Sequence, residues 1–145
     1  MNPPPGPYHV YARIGDYPVN TNPAHPPADV VILDHPAIVH LEYGTQPDTY
    51  HIKVNDGYVR PGTTPGSHLR STRDAPVDWI IRPQGGDFYS VQLKSSYQAW
   101  TDPGGHPDRN RRLYLSPLGQ PTPNSQLFEF RHVYREFEDE TNTSV

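Results

Sequence analysis

One five-residue pattern occurs three times in this sequence, as Tyr8-His9-Val10-Tyr11-Ala12, Tyr50-His51-Ile52-Lys53-Val54 and Tyr89-Ser90-Val91-Gln92-Leu93. Each copy has an aromatic residue first, a polar residue second, a β-branched residue third and an apolar or small residue fifth. Alternation of this kind is typical of a β-strand with one buried face. The copies start at residues 8, 50 and 89, so the pattern returns at intervals of about forty residues, which indicates an internal repeat.

Three further strands are predicted after each copy of the pattern. The second strands are centred near Val19, Val59 and Trp100, and the third near Val31, Leu69 and Leu113. The fourth are apolar groups that close each block, at Ile38-Val39-His40-Leu41, Trp79-Ile80-Ile81 and Leu127-Phe128-Glu129-Phe130. The sequence therefore predicts an all-β chain of twelve strands in three pseudo-equivalent repeats, which is the strand count of a β-trefoil.

We expect one domain over residues 1–133, because the 145-residue chain is long enough for one hydrophobic core. Evenly spaced short strands would also suit a β-sandwich, and the threefold spacing is what favours the trefoil. Residues 134–145 are polar and acidic, which predicts a flexible tail. The predicted repeats cover residues 8–46, 47–86 and 87–133.

The composition excludes several classes of protein. The 19 Pro residues rule out long helices, because proline removes a backbone donor and clashes with the preceding turn. Cysteine is absent, which excludes disulfides and thiolate metal sites, and the net charge of −4 argues against a nucleic-acid partner. No apolar run could cross a bilayer and no secretion signal is visible, so we expect a soluble, cytoplasmic protein without a membrane partner.

Sequence motifs of enzymes are missing. Gly85-Gly86 and Gly104-Gly105 fall in predicted turns and match no nucleotide-binding fingerprint, and there is no Gly-x-Ser-x-Gly element. The eight His residues are dispersed, without the close pairs that place two imidazoles on one ion. We therefore predict a protein that is not an enzyme, with no catalytic residues, no metal site and no cofactor.

The third repeat contains the longest predicted connection between second and third strands, at residues 101–111. The equivalent connections cover residues 20–29 and 61–67. Arg109 and Arg111 lie in the long connection and belong to the main basic cluster of the sequence. A long connection is a common position for binding residues, since loops vary freely on a rigid scaffold.

Several stretches of the chain resemble a known family of proteins. They are residues 70–83 (RSTRDAPVDWIIRP), residues 87–91 (DFYSV), Ala99-Trp100, residues 112–118 (RLYLSPL) and residues 125–130 (SQLFEF). In this order they are similar to the mushroom β-trefoil inhibitors of serine proteases, a fungal group related in fold to the mycocypin inhibitors of cysteine proteases. The resemblance covers about the last two-thirds of the chain.

The resemblance implies a small, monomeric fungal inhibitor that binds an endopeptidase, a serine protease first, through a projecting loop. In some members the reactive loop joins the second and third strands, but residues 20–29 contain no Lys or Arg for the acidic specificity pocket of trypsin. A reactive residue is therefore expected among basic and Asn residues of other predicted loops as well. The candidates are Arg109, Asn110, Arg111, Arg70, Arg73, Lys94 and Asn22.

Three other functions remain open at the level of the sequence. Exposed Asn residues would suit an asparagine-specific endopeptidase of the legumain type, a target of some mycocypins, and a cysteine protease is the related possibility. A carbohydrate-binding lectin would use Trp100 as a stacking surface and Asp102 to bind hydroxyl groups. An interaction or defence protein on the same scaffold is the third alternative.

Overall fold

The computed structural model describes residues 2–63 and 67–134. In these residues no helix has the length and apolar character needed to span a membrane. The predicted tail lies outside the described residues, apart from Tyr134. The strands are β1 (Gly6–Ala12), β2 (Tyr17–Asn22), β3 (Ala28–Ile32), β4 (Val39–Tyr43), β5 (Tyr50–Val54), β6 (Gly57–Arg60), β7 (Arg70–Thr72), β8 (Trp79–Pro83), β9 (Phe88–Leu93), β10 (Gln98–Thr101), β11 (Asp108–Arg112), β12 (Tyr114–Pro117) and β13 (Phe128–His132), and a short 3-10 helix covers Asn124–Gln126.

Six strands close into a barrel. β1 pairs with β4, β4 with β5, β5 with β8, β8 with β9, β9 with β13, and β13 returns to β1, always antiparallel. Each repeat contributes its first and fourth strands to this ring. Closure leaves the barrel strands without free edges, which is how all-β chains avoid edge-to-edge association.

The remaining strands form hairpins that meet around a pseudo-threefold axis. There the N–H of Val30 donates to the carbonyl of Leu69 (3.2 Å), the N–H of Leu69 to that of Leu113 (2.9 Å), and the N–H of Leu113 to that of Val30 (2.9 Å). All three side chains are fully buried. The same contact is thus made three times, once by the third strand of each repeat.

The third strand of the third repeat is split in two. β11 pairs with β3 and β12 pairs with β10, while Leu113 between them uses its backbone N–H and C=O in the ring at the axis. The twelve predicted strands are therefore present as thirteen segments. The prediction of a long connection at residues 101–111 is wrong, because the strand already begins at Asp108 and the loop covers only residues 102–107.

Three large aromatic side chains form the centre of the core. Trp79, Trp100 and Phe128 are each fully buried, and Trp100 meets the other two edge to face, with ring centroids 5.9 and 5.7 Å apart. Such pairs add to the stabilisation that burial alone provides. Of the three tyrosines that begin the repeated pattern, Tyr8 and Tyr50 are buried as predicted, whereas Tyr89 is only partly buried.

The N-terminal residues are fastened across one end of the barrel by tyrosines. The hydroxyl of Tyr8 donates to the carbonyl of Pro4 (2.6 Å), and the hydroxyl of Tyr50 donates to the carbonyl of Pro3 (2.5 Å). Burial and, to a smaller extent, the nearby Tyr8 hydroxyl together raise the pKa of Tyr50 to about 12. Both tyrosines are therefore neutral donors at physiological pH.

Candidate functional site

The strand β11 has one free edge. Among the described residues it pairs only with β3, through Asp108 with Ile32 and Arg112 with Val31. Three residues of β11, Arg109 to Arg111, thus lie between partners that are adjacent on β3, so they form a bulge that leaves the ladder. An extended segment with a free edge can accept a strand from another protein.

Arg111 fixes this bulge to the barrel. Its side chain is 1% exposed and makes two hydrogen bonds to the carboxylate of Asp102, from Nε to Oδ1 (2.9 Å) and from Nη2 to Oδ2 (2.7 Å). It also donates to the carbonyls of Gly105 (2.6 Å) and Ile14 (2.8 Å). The guanidinium group therefore joins β11, the loop 102–107 and the first repeat in one rigid contact.

Arg109 and Asn110 are the exposed residues of the bulge. The backbone N–H of Asn110 donates to the carboxylate of Asp108 (2.6 Å), so the backbone is held locally as well as by the buried Arg111. The projecting side chains of Arg109 and Asn110 thus lie next to the buried Arg111, which fixes the bulge. This arrangement lowers the ordering cost of binding a partner, because the segment is already held in place before association.

Arg111 itself is removed from the inhibitory candidates by its burial. A side chain that is 1% exposed and holds a buried carboxylate cannot enter the specificity pocket of a protease. The sequence pattern did not reveal this, because the residue that neutralises Arg111 is nine positions away across a turn.

The remaining basic candidates lie apart from β11. Arg73 is exposed between β7 and β8, and Lys94 is exposed in the connection from β9 to β10. Arg70 on β7 is 41% exposed and forms an ion pair with Asp29 (2.6 Å). Arg70 pairs with Asp29 on β3, the third strand of the first repeat.

Asn22 is exposed at the end of β2, and side-chain hydrogen bonds hold the residues before it and the loop that follows. The side chain of Asn55 donates to the Asn20 side chain (3.2 Å) and to the Thr21 hydroxyl (2.7 Å), and the Thr21 hydroxyl donates to the carbonyl of Ala24 (3.2 Å). Asn20 and Thr21 are themselves buried. The loop after β2 is therefore a second projecting segment that hydrogen bonds hold in place, and Asn22 lies at its start.

The sugar-binding prediction for Trp100 and Asp102 is wrong. Trp100 has no exposed surface and belongs to the aromatic core, while Asp102 is 3% exposed and neutralises Arg111. Neither side chain can contact a sugar in solvent. Across residues 2–63 and 67–134, no three His, Asp or Glu side chains come together as ligands for a metal ion.

Comparison with known proteins identifies the fold. The chain matches no family model and no curated protein. Among solved structures it is similar to the Rhizoctonia solani agglutinin (TM-score 0.80, 8% identity, 92% of this chain and 99% of that chain). It is also similar to the designed threefold-symmetric protein ThreeFoil (0.75, 12%, 88% and 99%) and to a proteinase inhibitor from Coprinopsis cinerea (0.73, 19%, 91% and 100%). The chain is a β-trefoil. The β-trefoils it resembles thus include both an inhibitor and an agglutinin.

The β-trefoil also carries a basic groove that the sequence analysis missed. Its volume is about 450 Å³, and its walls include Arg60 on β6, Arg70 on β7 and Arg112 on β11. Burial lowers the pKa of His68 in the same groove, and the charge of Arg112 lowers it further, so the positive charge there belongs to the arginines. Only the fold brings these residues together, since they come from two different repeats.

Proposed function

We propose that this β-trefoil is a protease inhibitor without catalytic activity, and that β11 is the segment that enters the active site of an endopeptidase. The observation that carries the proposal is the exposed pair Arg109 and Asn110 on an edge strand that is fixed by the buried Arg111. Proteases bind extended segments, and a segment held in that form before binding loses little entropy.

The residue types in the bulge define the target class. Arg109 offers a guanidinium group to a protease with an acidic specificity pocket, which makes a serine protease of trypsin specificity the first candidate. Asn110 would instead suit an asparagine-specific endopeptidase of the legumain type. The two neighbouring residues therefore predict different enzymes, and single substitutions separate them.

An inhibition panel tests the proposal. Trypsin, chymotrypsin, papain and a legumain-type protease are assayed with the wild-type protein and with Arg109→Ala, Asn110→Ala and Arg82→Ala. Arg82 is an exposed arginine on β8 and serves as the matched control. We expect inhibition of the trypsin-type enzyme that Arg109→Ala abolishes and Arg82→Ala leaves intact, with slow cleavage of wild type after Arg109.

Two results would overturn this proposal. The first is that micromolar protein inhibits none of the four enzymes. The second is inhibition that survives both Arg109→Ala and Asn110→Ala, which would transfer the site to another loop, with Asn22, Arg73 and Lys94 as the next residues to substitute.

A further inference from the structure

The charges of the basic groove do not balance among the described residues. Arg70 and Arg112, each 41% exposed, face the single carboxylate of Asp29, which is 25% exposed. Asp29 lies 2.6 Å from Nη1 of Arg70 but 4.0 Å from Nη1 of Arg112. One carboxylate therefore satisfies one guanidinium group and leaves Arg112 beyond hydrogen-bond distance.

A third guanidinium group adds to this excess. Arg60 lines the same groove. Within the described residues its guanidinium group donates a hydrogen bond to the carbonyl of Ala75, which carries no charge. Asp74 also lines the groove and is exposed, but no ion pair from it to these arginines is recorded there. Three positive groups thus face a groove in a chain whose net charge is −4.

Hydroxyl groups surround the arginines. Thr63, Ser67 and Thr72 line the groove, and the Ser67 hydroxyl is buried without a hydrogen-bond partner among the described residues. Hydroxyl groups and the Asp74 carboxylate are partners for the hydroxyls of a sugar, whereas guanidinium groups bind carboxylate and sulfate. A volume of about 450 Å³ lies within the range of small-molecule sites.

We propose that this groove binds an acidic saccharide, with the carboxylate or sulfate group of the sugar held between Arg112 and Arg70. Asp29 competes with the ligand for the two guanidinium groups, so it limits affinity and orients Arg70. Arg112 lies on the same strand as Arg109 and Asn110, but the two proposals use different side chains, so substitutions of Arg112 and of Arg109 test them separately.

The experiment uses glucuronate as the probe, glucose as the neutral control and inorganic sulfate as the free anion. Binding is followed by chemical-shift changes of backbone amides and arginine Nε–H groups at low ionic strength, where screening is weak. We expect glucuronate to shift signals of residues 60–63, 67–74 and 112, sulfate to compete with it, and glucose to cause no shift.

Substitutions with opposite expected effects distinguish binding in the groove from non-specific attraction to the charged surface. Arg112→Gln should weaken glucuronate binding by at least about tenfold, since a charged hydrogen bond is lost. Asp29→Asn should tighten binding, because it removes the competing carboxylate, and Arg82→Gln should leave it unchanged. No shift with glucuronate, or equal effects of Arg112→Gln and Arg82→Gln, would overturn the proposal, and binding of sulfate alone would overturn its saccharide part.

Discussion

At the scale of single residues, the buried pair of Arg111 and Asp102 connects the core to the candidate site. Two charges at 1% exposure require each other, because an uncompensated charge in the interior is strongly unfavourable. The pair also places Arg109 and Asn110 on the surface. Stability and presentation of the bulge therefore depend on the same contact.

Substitution of Asp102 tests this dependence. Asp102→Asn keeps the shape of the side chain but leaves Arg111 as an unpaired buried charge, so we expect a loss of about 3–5 kcal/mol in the free energy of unfolding. Urea denaturation followed by tryptophan fluorescence measures it. Asp34→Asn is the control, because the Asp34 side chain is 80% exposed beside His35. Identical denaturation midpoints for the two variants would contradict the structural role of the pair.

Trp100 provides a second test at this scale. The side chain fills the centre of the core, and its truncation would leave a large cavity between Trp79 and Phe128. We expect Trp100→Ala to lower the free energy of unfolding by about 3–5 kcal/mol and Trp100→Phe to lower it less. Tyr97→Ala, at a side chain that is 81% exposed, should change the midpoint little. An equally small effect of Trp100→Ala would place Trp100 on the surface after all.

At the scale of the structural elements, the N-terminal residues and the barrel are joined by two tyrosine hydroxyl groups. Tyr8 and Tyr50 lie in equivalent strands of the first two repeats, and both donate to proline carbonyls. Burial raises the pKa of Tyr8 as well as that of Tyr50. The attachment therefore requires protonated hydroxyl groups.

This requirement predicts a loss of stability at alkaline pH. The pKa of Tyr50 is raised from 10.0 to about 12, so its contribution is fully present below pH 10 and is lost as the pH rises through 12. We expect the free energy of unfolding to fall over that interval, and to fall less steeply in Tyr50→Phe. Urea denaturation at a series of pH values, with tyrosinate absorbance of the folded protein, measures both quantities.

Tyr97→Phe is the control for the alkaline prediction, because the Tyr97 side chain is 81% exposed. If Tyr50→Phe and Tyr97→Phe had the same slope as the wild-type protein, the Tyr50 hydroxyl would not be the group that resists ionisation.

At the scale of the whole molecule, the sequence predicted the fold because a threefold barrel repeats its core positions. Tyr8 and Tyr50, like the closing residues Trp79 and Phe128, occupy corresponding positions in different repeats, and the structure buries all four side chains. The candidate site was harder to predict from the sequence. Arg111 and Asp102 depart from the repeat, and nothing in a local pattern separates a buried arginine from its exposed neighbour.

The split at Leu113 and the basic groove could not be predicted for a related reason. Leu113 lies between β11 and β12, where its backbone groups complete the hydrogen-bonded ring with Val30 and Leu69, and that ring exists only in three dimensions. Arg60 and Arg112 are about fifty residues apart in the sequence. Their common groove follows from the meeting of hairpins around the axis.

The interrupted third strand also limits how far this chain can be idealised. An artificial protein built by triplicating the second repeat would keep the barrel and the hydrogen-bonded ring, and would gain regularity. It would nevertheless lack the buried pair of Arg111 and Asp102 that fixes β11, and with it the exposed Arg109 and Asn110. Perfect threefold symmetry and the projecting residues of β11 are therefore incompatible in this chain, and a redesign that keeps the projection has to keep the third repeat.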